Sequence, residues 1–198
     1  VGRDESGALV MPIKRAITTI FIAIVALSLS GCAGTETKGS MHDHSTQAAG
    51  DLSSDDVMFL QMMIPHHQQA IDISDLALTK SEDAELLALA KNIRDEQGAE
   101  IVKMKAWLEE ANASSHGDSH SMSGMLSDSE LAALDKASGK SFDVLWLKAM
   151  TGHHTGAIDM ATMIENAKSA EIKSFGQGIV ASQSAQNKAM AAMIKRIG

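Results

Sequence analysis

The sequence predicts an all-α protein, an antiparallel four-helix bundle built from two duplicated helical hairpins. Three observations carry this. First, a long motif occurs twice, 87 residues apart: Asp56, Val57, Phe59, Leu60, Met63, His66-His67 and Ala70-Ile71-Asp72 match Asp143, Val144, Trp146, Leu147, Met150, His153-His154 and Ala157-Ile158-Asp159 in register. Such self-similarity is read before anything else, because it sets the architecture. Second, apolar residues recur at helical rather than strand spacing through both halves. Third, Met reaches 13, Tyr is absent, aromatics are 3% and prolines number two, a composition that favours helix over sheet.

The elements follow in order along the chain. Lys14 and Arg15 precede an apolar run from Ala16 to Ser30. A positive start, a run of about 15 apolar residues and small residues at its end form a secretory signal over 1–31. Met11 gives a more compact start to this leader. The ending Leu29-Ser30-Gly31-Cys32 resembles a bacterial lipobox, with cleavage before Cys32 and lipid on its sulfur. The run is short for a span of about 20 residues, although it also reads as an uncleaved anchor. Either way the domain works outside the cytoplasm, attached to the membrane. Cys32 is the lone cysteine, so no intramolecular disulfide forms.

Residues 32–51 are rich in Gly, Ser, Thr and Ala and read as a flexible tether. It carries Met41, His42 and His44, which are either auxiliary metal ligands or a chance polar cluster. The bundle domain then occupies 52–198, with repeats at 55–110 and 142–197 and a linker at 111–141.

A first helix runs from about Asp55 to Leu78, with its stripe at Phe59, Met62 or Met63, Ala70, Ile73 and Ala77. Ser81 reads as the N-cap of a second helix, Glu82 to Glu110, with its stripe at Leu86, Leu89, Ala90, Ile93, Met104, Trp107 and Leu108. The Ser/Gly/His-rich stretch to Met125 is a linker, followed by a short helix from Ser129 to Ala137 that Gly139 breaks. A third helix spans about Phe142 to Ala167. Ser169 caps the fourth, whose stripe is Ile172, Phe175, Ile179, Met190, Met193, Ile194 and Ile197. Short turns make neighbouring helices antiparallel, and each hairpin alone would expose an apolar face, so the two pair.

Antiparallel pairing brings His66 level with Glu96 and Gln97, and His153 level with Gln183. Gln97 and Gln183 interrupt apolar stripes, as do Glu100 and Gln186 one turn on. This predicts a polar layer across the bundle. Buried polar groups are costly unless paired, so such a layer usually has a role. Pro65 and its counterpart Gly152 place a helix breaker just before each His pair, and a kink there would re-aim the imidazoles.

Ligand chemistry narrows the metal. Imidazole suits zinc, copper, iron and nickel, and thioether selects Cu(I). Met63 and Met150 lie four residues before His67 and His154, on the same helical face. Met160 and Met163 extend one side of the third helix, Met62 adjoins Met63, and His116, His120, Met122 and Met125 form a loose cluster in the linker. Met beside His in an exported chain fits copper or silver better than zinc. Cu(I) would use Met with His, and Cu(II) His with water or carboxylate. The competing reading is that Met at helical spacing is core filler, which applies above all to Met58, Met104, Met190 and Met193. Asp72 and Asp159 recur and also read as solvent-facing.

These residues resemble a bacterial family, the domain of unknown function 305, whose better-understood members are CopM-like exported copper-binding proteins. The motifs that carry it are Met63-Ile64-Pro65-His66-His67, Ala70-Ile71-Asp72, Met150-Thr151-Gly152-His153-His154, Ala157-Ile158-Asp159-Met160, and Gln97 to Met104-Lys105-Ala106-Trp107-Leu108. The resemblance covers about Ser53 to Ile197. It implies a ferritin-like bundle that binds extracytoplasmic copper or silver, with His66, His67, His153, His154, Met63, Met150 and Met160 as ligands. The chain departs from a strict duplication where Ile73 stands opposite Met160, so the halves would bind metal unequally.

The leading expectation is therefore a lipid-anchored protein that sequesters copper or hands it to an exporter or metallochaperone. The net charge of −8 gives no basic face for nucleic acid. A ferritin-like di-iron or redox enzyme is the alternative, but di-iron bundles use a Glu-x-x-His pair on two helices and none occurs here. No catalytic constellation is found. A third reading is a structural bundle whose polar layer fixes register. Oligomeric state is not legible in the sequence.

Overall fold

A computed structural model describes residues 52–115 and 122–198, and they form helices with no strand among the described residues. The elements are α1 (Ser54–Lys80), α2 (Ala84–Glu110), α3 (Asp128–Lys136), α4 (Gly139–Ala161), a 3-10 turn (Thr162–Ile164) and α5 (Ala170–Ile197). The α1–α2 and α4–α5 hairpins pack against each other, so the expected antiparallel four-helix bundle is the fold. No described helix is long and apolar enough to cross a membrane.

Local chemistry sets the helix ends. Ser53 caps α1 in a capping box with Asp56, and Ser127 caps α3 in the same way with Glu130. Each box satisfies two backbone donors that a bare helix start would leave open. Ser169 caps α5 as expected, accepting from the Ile172 amide. The second helix differs from expectation. Ser81 is the C-cap of α1, and Asp83 caps α2 by accepting from the Leu86 amide. Both residue types cap well, so the turn geometry, not propensity, made the choice.

Two further expectations are corrected. The third helix starts at Gly139, with φ of 53°, rather than at Phe142, and its α-helical hydrogen bonding ends at Ala161 rather than Ala167. The chain tightens there into the 3-10 turn, whose Ile164 side chain is buried against Gly176 of α5. A Cβ on Gly176 would lie 2.8 Å from the Ile164 Cδ1, so the close packing of this turn relies on the missing side chain. α1 continues unbroken through Pro65, even though proline has no N–H for the Gln61 carbonyl one turn back.

The expected stripes are the core. Phe59, Leu60, Met63, Met104, Trp107, Leu108, Met160, Ile172 and Ile179 belong to one apolar cluster. Ala70, Ile73, Ala77, Leu86, Ala90, Ile93, Phe142, Trp146, Leu147, Met150 and Met190 belong to a second. Full burial of each large side chain contributes roughly 1.5–3 kcal/mol. Trp146 also donates from Nε1 to the Ile73 carbonyl at 2.8 Å, tying α4 to α1 inside the core. Met104 and Met190 are core residues as expected and Met193 is half-buried. Met58 is not a core residue, because it lies 44% exposed on the outer face of α1.

Candidate metal centre

Both His pairs are fully buried at mid-helix: His66 and His67 on α1, His153 and His154 on α4. α1 and α4 meet along the middle of the bundle, and this contact brings the two pairs together. The rings of His66 and His153 stack with centroids 3.8 Å apart, while each lies 6.4 Å from the ring of its chain neighbour.

The second hairpin helices supply partners. His67 Nε2 lies 2.8 Å from Glu100 Oε2 on α2. His154 Nε2 lies 2.6 Å from Gln186 Oε1 on α5. These two contacts correspond, because Glu100 and Gln186 hold matching places in the two hairpins. Gln186 in turn donates to Glu96 at 2.7 Å and to Asn92 at 3.2 Å, and Ser182 donates to Glu96. His66 Nε2 lies 3.1 Å from the backbone carbonyl of Ser123.

The polar layer expected from the sequence is thus present, with its partners shifted by about one turn. His67 and His154 engage Glu100 and Gln186. Gln97 and Gln183, expected to face His66 and His153, are 2% exposed and have no hydrogen-bond partner at either amide atom. Among the imidazoles, Nδ1 of all four and Nε2 of His153 are buried without a partner. This is an unusual concentration of orphaned polar atoms, since natural cores pair nearly all of them.

Electrostatics keep His66, His153 and His154 neutral. Burial first, and then the neighbouring His67, hold the His66 pKa down to about 3, against a smaller opposing effect of the Ser123 carbonyl. His154 is lowered to about 4, again by burial first, with the Gln186 hydrogen bond opposing. His153 is pushed well below the usual histidine value by burial and by His66, His154 and His67 around it. Neutral imidazole is the form that offers a lone pair to a metal.

The thioethers flank this layer. Met63 and Met150 are fully buried and Met160 is 6% exposed. Met63 and Met160 pack in one apolar cluster and Met150 in the other, so the two sides of the layer carry different numbers of these sulfurs. Met62 and Met163 are half-buried. Met122 is buried and Met125 packs half-buried against the same cluster as Met63. Asp72 and Asp159 are exposed. Cys32, Met41, His42, His44, His116 and His120 lie outside the described residues.

Among the described residues, no group of three or more His, Cys, Asp or Glu side chains stands in metal-holding geometry. The donor chemistry fits a soft or borderline cation, but the rings are stacked rather than splayed.

One functional feature was not read in the sequence. Part of the linker, Met122 to Leu126, lies on α4 and reaches α1. Gln69 clamps Leu126, donating to its carbonyl at 3.0 Å and accepting from its amide at 2.8 Å. Gly156 makes room, since a Cβ there would lie 1.9 Å from the Ser123 oxygen. Gly124, at φ of 82°, rests against the Gly152 carbonyl. The signal was visible as Gly152 and Gly156 within α4 where the first copy has Pro65 and Gln69, a break in the duplication with no helical reason.

Comparison with known proteins follows the same lines. The family model for the domain of unknown function (DUF305) matches residues 56–194. A solved DUF305 protein of Streptomyces coelicolor, described as secreted, is 29% identical, with a TM-score of 0.69 over 73% of this chain and 94% of that one. A DUF305 fragment from Deinococcus radiodurans is 27% identical, with a TM-score of 0.69 over 73% and 98%. CopM in its Cu(I)-bound form is 34% identical, with a TM-score of 0.62 over 71% and 96%, and CopM has also been solved with Cu(II) and with silver. No curated protein matches.

Proposed function

This chain belongs to the DUF305 family, and we propose that it binds copper or silver ions outside the cytoplasm, to sequester them or hand them on. The observation that carries the reading is the set of five buried, unpartnered imidazole nitrogens on His66, His67, His153 and His154. Leaving them unsatisfied costs stability, and a coordinated cation removes that cost. The likeness to CopM, solved with Cu(I), Cu(II) and silver, supports the choice of metal.

In this reading His66, His67, His153 and His154 supply nitrogen donors, and Met63, Met150 and Met160 supply thioether sulfur, which favours Cu(I) and Ag(I). Metal is cargo here, and the bundle supplies lone pairs and excludes water. Met62, Met163, Met122, Met125 and the residues Met41, His42, His44, His116 and His120 serve as auxiliary or entry ligands. A secreted relative and the leader before Cys32 support an extracytoplasmic site, with a lipid on Cys32 as the membrane anchor and an exporter or metallochaperone as the exchange partner.

The test is anaerobic titration of the full chain with Cu(I) against a competing chelator, alongside the variant carrying His66→Ala, His67→Ala, His153→Ala and His154→Ala. Tight binding that the variant loses while staying helical supports the reading. Unchanged binding moves the metal to the auxiliary residues. No binding favours a second reading, for which the His66–His153 stack speaks: a polar layer that fixes the register of the two hairpins.

A further inference from the structure

Three of the four buried imidazoles are held by acceptors at the same ring atom. His66 Nε2 meets the Ser123 backbone carbonyl, His67 Nε2 meets the Glu100 carboxylate, and His154 Nε2 meets the Gln186 amide. A carbonyl oxygen and a carboxylate have no proton to give, so Nε2 of His66 and of His67 must be the donor.

The Gln186 case needs its own argument, because an amide can face either way. Its nitrogen donates to Glu96 Oε2, which accepts only. The amide oxygen is therefore the end left for His154, and His154 Nε2 must also carry the proton. Glu96 is itself oriented by Ser182, which donates to its other oxygen.

A neutral imidazole protonated at Nε2 has its lone pair at Nδ1. In His66, His67 and His154 that Nδ1 is buried and unpartnered. His153 differs, because neither of its nitrogens makes a well-formed hydrogen bond, the His66 backbone being its one weak polar neighbour.

We propose that Glu100, Gln186 and the Ser123 carbonyl are positioning groups that lock His67, His154 and His66 as the Nε2–H tautomer, presenting Nδ1 as the cation-binding atom of each. The role of Nδ1 as donor rests on the copper or silver reading, while the tautomer lock does not. Metal-binding histidines commonly fix their tautomer through a hydrogen bond from the other ring nitrogen to a carboxylate or carbonyl. Here α2 provides the carboxylate for both halves: Glu100 acts directly on His67, and Glu96 acts on His154 through Gln186. The matching places on α5 are Gln186 and Ser182, so α5 relays rather than supplies the charge. His153 remains the uncommitted ring.

The experiment is long-range proton–nitrogen NMR on the full chain labelled with 15N-histidine, first with metal removed and then with Ag(I). Ring assignments come from single His→Gln variants. The expected metal-free spectrum shows a protonated Nε2 and a bare Nδ1 for His66, His67 and His154. Glu100→Leu makes His67 a mixture of tautomers, and Glu100→Gln, which keeps an oxygen acceptor within reach, shifts the mixture back toward the protonated Nε2. Gln186→Leu likewise makes His154 a mixture of tautomers. Loss of helicity in a Leu variant leaves the wild-type spectrum and Glu100→Gln to decide. A bare Nε2 on His67 or His154 in the metal-free wild type overturns the proposal, as does a His67 protonated at both nitrogens beside Glu100 or a His67 spectrum unaffected by Glu100→Leu. With Ag(I), shifts confined to Nδ1 support it, and shifts at Nε2 overturn the donor assignment while upholding silver binding. No shift at all overturns the copper or silver reading and the donor role, and leaves the tautomer lock standing.

Discussion

His66 of α1 and His153 of α4 stack ring on ring, their centroids 3.8 Å apart and their planes tilted by 40°. They occupy matching places in the two motif copies, so the stack lies where the two hairpins meet. Two protonated rings would repel at this distance, and burial with mutual charge repulsion keeps both neutral. The pair therefore reports on acidity, on packing and on metal, and each can be tested.

His153 makes no well-formed hydrogen bond at either nitrogen, only a weak interaction with the His66 backbone, and is fully buried. A buried unsatisfied polar group costs about 1–3 kcal/mol. His153→Leu, of similar size, therefore raises the unfolding free energy of the metal-free protein by about 1 kcal/mol or more. Urea denaturation with a chelator present measures this. Silver affinity falls at least about tenfold in the same variant, since one ring of the layer is gone. A variant that is less stable than wild type without metal would show that the stack itself is stabilising.

Acid should destabilise the metal-free bundle steeply. The folded-state pKa values of His66 and His154 lie near 3 and 4, and that of His153 is also lowered, whereas each ring titrates near 6.5 when unfolded. Below about 6.5 the unfolded chain binds more protons, so stability falls as pH falls through the window from about 6.5 to 4. Each ring contributes up to about 1.4 kcal/mol per pH unit within it. Denaturation midpoints at pH 7, 6, 5 and 4.5 give the slope. Replacing His66, His153 and His154 together by Leu should flatten it, and a slope unaltered by that change would assign the acid response to other groups.

The two glycines of α4 should behave oppositely. A Cβ at Gly152 meets nothing within 4 Å, so Gly152→Ala gains the helix propensity of alanine, up to about 1 kcal/mol. At Gly156 the added carbon would lie 1.9 Å from the Ser123 oxygen and 2.8 Å from the Gly124 Cα. Those are backbone atoms with little freedom to move, so Gly156→Ala costs about 1–3 kcal/mol and loosens the segment over His66. Thermal melts of the two variants compare them directly, and equal stability would mean that this segment does not dock on α4.

Gln69 holds the same segment from the α1 side through both of its amide atoms. Gln69→Leu leaves the Leu126 amide and carbonyl unpaired, at a cost of about 1–3 kcal/mol. Hydrogen exchange at the Leu126 amide should accelerate while exchange in α2 stays near the wild-type pattern. Protection of Leu126 that survives the substitution would show that some other group holds the segment.

Much of this protein is legible along the chain. The duplicated motif, the helical stripes and the short turns together determine four antiparallel helices, because burial of an apolar face every 3.6 residues leaves few other solutions. The placement of His66, His67, His153 and His154 in a shared central layer also follows, since matched positions on paired hairpins fall at matched heights. Local signals were weaker where two residues could serve one purpose. Ser81 and Asp83 are both good caps, and only the path of the turn decided between them. Met58 continued a pattern of methionines but faces solvent, because spacing alone does not say which side of a broad stripe meets a neighbour.

The tertiary structure alone decided which ring touches what. A shift of one helical turn moves the partner of an imidazole from Gln97 to Glu100, and no local preference senses that shift. The docking of Met122 to Leu126 on Gly156 and Gln69 also lay beyond the sequence, because it joins residues far apart in the chain through backbone atoms that every residue shares. Helix formation and amphipathic pairing depend on side-chain type and spacing, which the sequence carries. Hydrogen-bond partnership depends on distances of a few tenths of an ångström, and those exist only once the helices have packed.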